Sequence, residues 1–187
     1  ERAGLLVQAG LPTAPWHAVT RSGWARETAE LRRRCLALGL PLFVKPARLG
    51  SSVGVSKVVE AAGIDTAIET AFAHDELAVV ERGIDAREIE IAVLGNADPR
   101  ASLPGEVVPG HEFYDYADKY LDDSCQLLAP APLDAATTAE AQRMAVAAYQ
   151  VLGCAGMARV DLFLGRGDGT LWVNEANTIP GFTAISM

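Results

Sequence analysis

Four polar residues near the end of the chain carry the densest chemical signal: Arg159 and Asp161 in the run ARVDLFL, and Glu175 and Asn177 in the run VNEAN. A three-residue turn centred on Asp168 sets Asp161 opposite Glu175 and Arg159 opposite Asn177. Strand residues two apart share a face. All four then project from one side of a hairpin, with Val160, Leu162 and Trp172 on the other. Two carboxylates and an amide on one face suit a hard divalent cation such as Mg²⁺, which takes oxygen ligands and commonly bridges substrate phosphates. The solvated face of an edge hairpin would show the same residues, although facing carboxylates without a cation repel. Register is the sensitive point, because a slip of one residue separates the set.

Three further groups could join that chemistry. Lys45 closes an apolar run before Pro46, and Gly50-Ser51-Ser52-Val53-Gly54 follows. A lysine in that place holds a phosphate as a point charge, and a Gly/Ser loop turns N–H and hydroxyl groups toward phosphate oxygens. An ordinary hairpin turn would read the same way, and the GxxxxGK[ST] pattern is absent. The segment Glu112-Phe113-Tyr114-Asp115-Tyr116-Ala117-Asp118-Lys119-Tyr120 is either a lid that excludes water or a surface loop with its aromatics tucked in. Last, the run from Asn174 to Thr183 leaves a strand through Pro180-Gly181, whose free amides beside Arg159 and a metal could bind an oxyanion.

These groups must be positioned by alternating strands and helices. Leu5, Leu6 and Ala9 form a helical stripe stopped by Gly10, and the arginine cluster Arg32–Arg34 reads as the solvated face of a helix ending near Gly39. Strands are expected at Leu42–Val44, Val55–Val59 and Ala78–Glu81, with a helix over Ile64–Ala73. Ile89, Ile91 and Val93 alternate with Glu88 and Glu90, which marks a half-buried strand. Asp134 caps a helix that runs to Leu152 and stops at Gly153. Strands at Ala158–Leu164 and Leu171–Glu175 follow. Hairpins among alternating elements point to α+β lobes, with a boundary near residues 81–85 where Gly83 interrupts a strand-rich stretch.

Half of the 187 residues are apolar and 21% are charged, which supports a packed core. The net charge of −8 argues against non-specific nucleic-acid binding but leaves room for a local phosphate site. Cys35, Cys125 and Cys154 form no CxxC pair, so a disulfide framework or zinc site is not expected, and a reducing cytoplasm is. No apolar run has the roughly 20 residues of a membrane helix, so no membrane partner is expected. Both ends look cut: the chain starts at Glu1 inside a helical pattern and ends at Met187 just after a motif-like stretch.

Together, LGLPLFVKPARLGSSVGVSKV (39–58), EFYDYADKYLDD (112–123), LGCAGMARVDLFL (152–164) and VNEANTIPGFTAIS (173–186) resemble the D-alanine–D-alanine ligase family of the ATP-grasp superfamily. The resemblance covers nearly the whole chain. It implies an ATP-grasp fold of two α+β lobes enclosing an ATP cleft: a central lobe over residues 1–83 with the phosphate loop at 50–54, and a C-terminal lobe over 84–187 with a lid at 109–125 and the metal site. It also implies a preceding domain of about a hundred residues and a further C-terminal end.

Residue by residue, the resemblance assigns Lys45 to the α/β-phosphates and Glu81 to the adenine amino group. The backbone of Arg82, Gly83 and Ile84 runs along the hinge, and Glu88 holds the ribose. Gly83 stands where many members carry an aromatic residue. Asp161, Glu175 and Asn177 would hold Mg²⁺, with Mn²⁺ as an alternative. Arg159 and the Gly181 amide would bind the oxyanion. Ser51 and Tyr120 would link the phosphate loop to the lid, Lys119 would reach the phosphates, and Ser186 would meet the carboxylate of the second amino acid. The implied reaction is ATP-dependent ligation of two D-alanines through an acyl phosphate, for cell-wall precursor synthesis. The Lys119-Tyr120 pair favours D-alanine over D-lactate as acceptor, with D-serine open. A nucleotide-binding module without chemistry is the reading from another class. A homodimer is implied for the full-length protein, and the segment alone is expected to be inactive.

Overall fold

The computed structural model describes residues 2–50, 52–108 and 126–181, which divide into two α+β units. The smaller spans Ala14–Gly83. Its strands are β1 (Trp16–Thr20), β2 (Leu42–Pro46), β3 (Ser56–Val58) and β4 (Leu77–Arg82), and its helices are α2 (Arg21–Leu36) and α3 (Ile64–Phe72). The strands form an antiparallel sheet in the order β1-β4-β2-β3. Period-two alternation sends Leu42, Val44, Val58, Ala78 and Val80 into one face, where they meet Ile64, Ile68 and Phe72 of α3 and Trp24 and Cys35 of α2. Burying each large member of that set is worth about 1.5–3 kcal/mol. Thr20 caps α2 by accepting from the Gly23 N–H. Arg21 then ties α2 to α3: it bonds the Phe72 carbonyl, lies 5.0 Å from the centre of the Phe72 ring and pairs with Glu76.

The larger unit holds α1 (Arg2–Gln8), β5 (Ala86–Leu94), β6 (Arg100–Ala101), β7 (Gly105–Val108), β8 (Gln126–Leu128), α4 (Ala135–Val151), β9 (Met157–Gly165) and β10 (Leu171–Asn177). Its six-stranded antiparallel sheet runs β10-β9-β5-β7-β8, with β6 on β5. Ile89, Ile91 and Val93 face α4, which buries Ala141, Met144, Ala145, Ala148 and Tyr149 against them. Asp134 caps α4 through the Thr137 N–H, and Gly153 turns the chain away at φ +66°.

Residues 2–13 were grouped with the first lobe on sequence; in the structure they pack with the larger unit. Leu6 and Leu11 enter its core, the Val173 N–H bonds the Pro12 carbonyl, and Thr13 bridges to Val173 beside β10. Of the apolar stripe of α1 only Leu6 is buried there; Leu5 stays 47% exposed and Ala9 is exposed. Helices cover one face of each antiparallel sheet, the α+β arrangement expected from the hairpins. Among the described residues, no helix is long and apolar enough to cross a membrane.

Candidate active site

The open face of the larger sheet collects the hairpin residues. Glu175 pairs with Asp161 and Asn177 with Arg159 across the β9–β10 ladder. The route to that register differs from the sequence expectation. Gly165 donates to the Thr170 carbonyl, so the turn is the four residues 166–169, and the pairs nearest it are Leu164–Leu171, Phe163–Trp172 and Leu162–Val173. A bulge between Val173 and Glu175 then absorbs one residue, Asn174, and brings Glu175 opposite Asp161. One expectation fails in consequence. Trp172 pairs with Phe163 and shares the face of Asp161, while Val173 points into the core.

Arg159 stands at the centre of this face. Its Nε and Nη2 donate to the two oxygens of Asp161 at 2.7 and 2.8 Å, and Nη2 lies 3.2 Å from Glu90 Oε1. Burial works against the guanidinium charge, but the Asp161 hydrogen bonds and the charges of Asp161, Glu90 and Glu175 outweigh it and raise the Arg159 pKa. The Asn177 amide donates to Asp161 Oδ2 at 2.9 Å and approaches Glu175 Oε1 at 3.4 Å. A single amide group therefore reaches both carboxylates. Its nitrogen and oxygen positions are interchangeable by rotation, and with the oxygen inward the set is three hard oxygen donors on adjacent strands. That donor set fits Mg²⁺ or Mn²⁺.

Glu90 belongs to this cluster and was not singled out on sequence. Alternation placed it on the polar face of β5, but only the β5–β9 register sets it opposite Asp161. Glu88 lies on the same face opposite Phe163, one pair along. Gly181 is exposed at the last described position.

The smaller unit carries the second group. Lys45 Nζ pairs with Glu81 Oε2 at 2.7 Å on the face of the sheet away from the helices. The register sets Glu81 opposite both Trp16 and Phe43, and Lys57 opposite Phe43. An apolar floor with two lysines and a carboxylate is thus assembled from four strands, and Lys57, Trp16 and Phe43 carried no signal on sequence. At the end of β4, Arg82 donates its N–H to the Pro15 carbonyl at 2.9 Å, and the next residue, Gly83, donates to the Pro41 carbonyl at 2.8 Å. Gly83 is tightly seated: a Cβ there would meet Pro41 Cγ at 3.0 Å and Phe43 Cε2 at 3.1 Å. Ile84 opens the larger unit. In the loop, Ser52 and Gly54 have φ of +58° and +73°, and Val53 and Val55 donate back to Gly50 and Ser52 at 3.3 Å each.

Ser51, Lys119, Tyr120 and Ser186 lie outside the described residues, as does the lid segment. A surface groove of about 510 Å³ between β6 and α4, lined by Arg100, Gln142, Arg143 and Gln150 among others, contains none of the site residues.

Comparison with known proteins identifies the family. A family model described as "D-ala D-ala ligase C-terminus" matches residues 5–187. The D-alanine--D-alanine ligase of Heliobacterium modesticaldum is 47% identical over 98% of this chain and 50% of its own length. D-alanine--D-alanine ligase A of Salmonella typhimurium is 52% identical, again over 98% of this chain and 50% of its own. The chain thus spans about half the length of the curated relatives it matches. Among solved structures, the VanG D-Ala:D-Ser ligase from Enterococcus faecalis superposes with a TM-score of 0.86 at 38% identity, over 100% of this chain and 53% of that one. The D-alanine-D-alanine ligase from Coxiella burnetii gives 0.84 at 36%, over 99% and 48%.

Proposed function

The chain belongs to the D-ala D-ala ligase C-terminus family, and from that premise we propose that the protein carrying it joins two D-alanines in an ATP-dependent reaction, supplying a dipeptide for peptidoglycan synthesis. The fold is that of the ATP-grasp ligases. The observation that carries the reading is the face on which Arg159, Asp161, Glu175 and Asn177 meet.

In this reading Asp161, Glu175 and Asn177 hold Mg²⁺, or Mn²⁺ in its place. When bound, the ion neutralises phosphoryl charge. Lys45 and Lys119 hold the phosphates, Glu81 takes the adenine amino group and Glu88 the ribose. The N–H groups of Arg82 and Gly83 are already bonded to Pro15 and Pro41, so the backbone is tied to its own unit at those two positions. A carboxylate oxygen of the first D-alanine attacks the γ-phosphorus of ATP and displaces ADP, giving an acyl phosphate. The amine of the second D-alanine attacks the acyl carbon, loses a proton and displaces phosphate. Arg159, fixed by Asp161 and Glu90, meets the developing oxyanion together with the Gly181 amide. Ser51 and Tyr120 join the phosphate loop to the lid, and Ser186 takes the acceptor carboxylate. We read the full-length protein as a cytoplasmic homodimer.

A D-serine acceptor is the second reading, because the VanG D-Ala:D-Ser ligase superposes over the whole chain. The test is ADP release by the full-length protein with D-alanine as donor and D-alanine, D-serine or D-lactate as acceptor. Release with D-alanine alone and a dipeptide product supports the main reading. Preference for D-serine supports the second. Nucleotide binding without ADP release would leave a binding module.

A further inference from the structure

The loop 50–54 needs its two ends fixed if its amides are to point one way. β2 leaves its sheet at Pro46, and the Ala47 N–H still bonds the Leu77 carbonyl at 2.9 Å. At the next residue the chain is held by a side chain. Asp75 accepts the Arg48 backbone N–H at 3.0 Å, and the Arg48 guanidinium bonds both oxygens of the same carboxylate. Asp75 also accepts the Leu77 N–H at 3.1 Å, and its side chain is only 2% exposed.

The far end of the loop passes close to the preceding residue, His74. Gly54 sits in the left-handed region at φ +73°, and a Cβ there would come 2.6 Å from His74 Cδ2 and 2.9 Å from Pro46 Cγ. Two consecutive residues of the turn after α3 therefore meet the two roots of the loop, Asp75 by hydrogen bonds and His74 by close approach. A carboxylate buried this far is stable only while its donors are all in place, so it ties the Arg48 backbone to one position.

We propose that Asp75, acting through Arg48, is a positioning residue for nucleotide binding: it sets the direction in which the chain enters the loop 50–54. The inference rests on the reading of that loop as the phosphate site. Arg48 is here the clasp of the loop: its backbone N–H, Nε and Nη2 all bond the one Asp75 carboxylate.

The experiment uses the full-length protein with ADP as the probe, by titration calorimetry, with thermal melts to establish folding. Asp75→Asn and Arg48→Gln should each weaken ADP about tenfold, the loss expected for one charge-assisted hydrogen bond. The double variant should be no weaker than either single one, because both remove the same clasp. KM for ATP should rise by the same factor, with kcat and KM for D-alanine within about twofold. Asp65→Asn, which breaks an exposed pair with Arg32, should change nothing. Arg48→Lys keeps a positive charge for a phosphate but cannot fork onto Asp75, so it decides the matter even if Asp75→Asn fails to fold: it should lose as much ADP affinity as Arg48→Gln, and full retention overturns the inference. Unchanged ADP affinity in folded variants, additive losses, or a loss confined to Arg48→Gln overturns the inference. If the unaltered protein binds no ADP, the phosphate-loop reading falls and takes this inference with it.

Discussion

Glu175 stands directly opposite Asp161 because two irregularities cancel: the hairpin turn is one residue longer than the expected pairing requires, and Asn174 bulges out of β10. The Asn177 amide then spans both carboxylates. The face thus collects two acids and an amide, with Arg159 bonded to one of the acids, and this convergence is what supports the metal role proposed for it.

Glu175→Gln removes one of the two carboxylates without changing its size. Glu175 is exposed and its amide neighbour is Asn177, so the fold should be unaffected. The Mg²⁺ concentration that half-saturates turnover should rise at least about a hundredfold, the upper end of what losing an outer-shell metal partner costs. A Mg²⁺ titration of ADP release measures it. An unchanged half-saturation point would remove Glu175 from the metal set.

Stability of the larger unit depends on a different ion pair. Arg87 and Glu106 form a two-point contact at 2.7 Å, with Glu106 7% exposed and Arg87 also bonding the Pro132 carbonyl. Glu106→Gln leaves Arg87 charged and half-satisfied. We expect a loss of about 3 kcal/mol, the low end for a broken buried pair, because Arg87 keeps 24% of its side chain in water. Asp98→Asn, which breaks an exposed pair, should cost under about 0.5 kcal/mol. Urea denaturation of the two variants makes the comparison.

The hairpin face was legible on sequence because its parts are near one another in the chain: a Gly/Asp turn, period-two alternation and four polar residues. Trp172 was misplaced because a bulge leaves no mark in composition. Glu90 and Lys57 were missed for another reason. Their places are fixed by pairing, Glu90 by Asp161 far along the chain and Lys57 by Phe43 on the neighbouring strand, and alternation gives a face but not a partner. The strand Trp16–Thr20 went unread because its partner β4 lies about sixty residues on and its own pattern is short. Asp75, between the expected helix and strand, drew no reading, because only the fold brings it to Arg48.

Acid should weaken the smaller unit in a defined window. The Arg48 hydrogen bond, reinforced by the Leu77 and Arg48 backbone N–H groups, holds the Asp75 carboxyl down to about 2. A carboxyl depressed on folding contributes stability that is complete above its unfolded value near 3.9 and is lost as pH falls through the folded one. The charge facing it is Arg48, with Glu76 acting on Arg48 from the same turn. Melting temperature should therefore fall between about pH 4 and pH 2, and Asp75→Asn should flatten that slope. Parallel slopes in the two proteins would show that other groups set the acid limit.

Glu90 decides how firmly Arg159 is held. Asp161 fixes the guanidinium from its own strand, and Glu90 fixes it from β5, at 3.2 Å and with only 14% of the Glu90 side chain exposed. With both in place the guanidinium cannot pivot about the Asp161 bond. Glu90→Gln keeps the shape and removes the charge, so Arg159 loses one of two anchors while the Asp161 contact stays. A hydrogen bond between charged groups is worth about 1.5–3 kcal/mol, and we expect kcat to fall about tenfold or more through misplacement of Arg159. KM for ATP should stay within about threefold, because the substrate contacts assigned to Lys45, Glu81 and Glu88 are untouched. A Mg²⁺ titration in the same variant separates the two roles open to a carboxylate here. If Glu90 only orients Arg159, the half-saturating Mg²⁺ concentration stays put while kcat drops. If that concentration rises as it does for Glu175→Gln, Glu90 is a third carboxylate of the metal set, and the positioning role assigned to it is wrong.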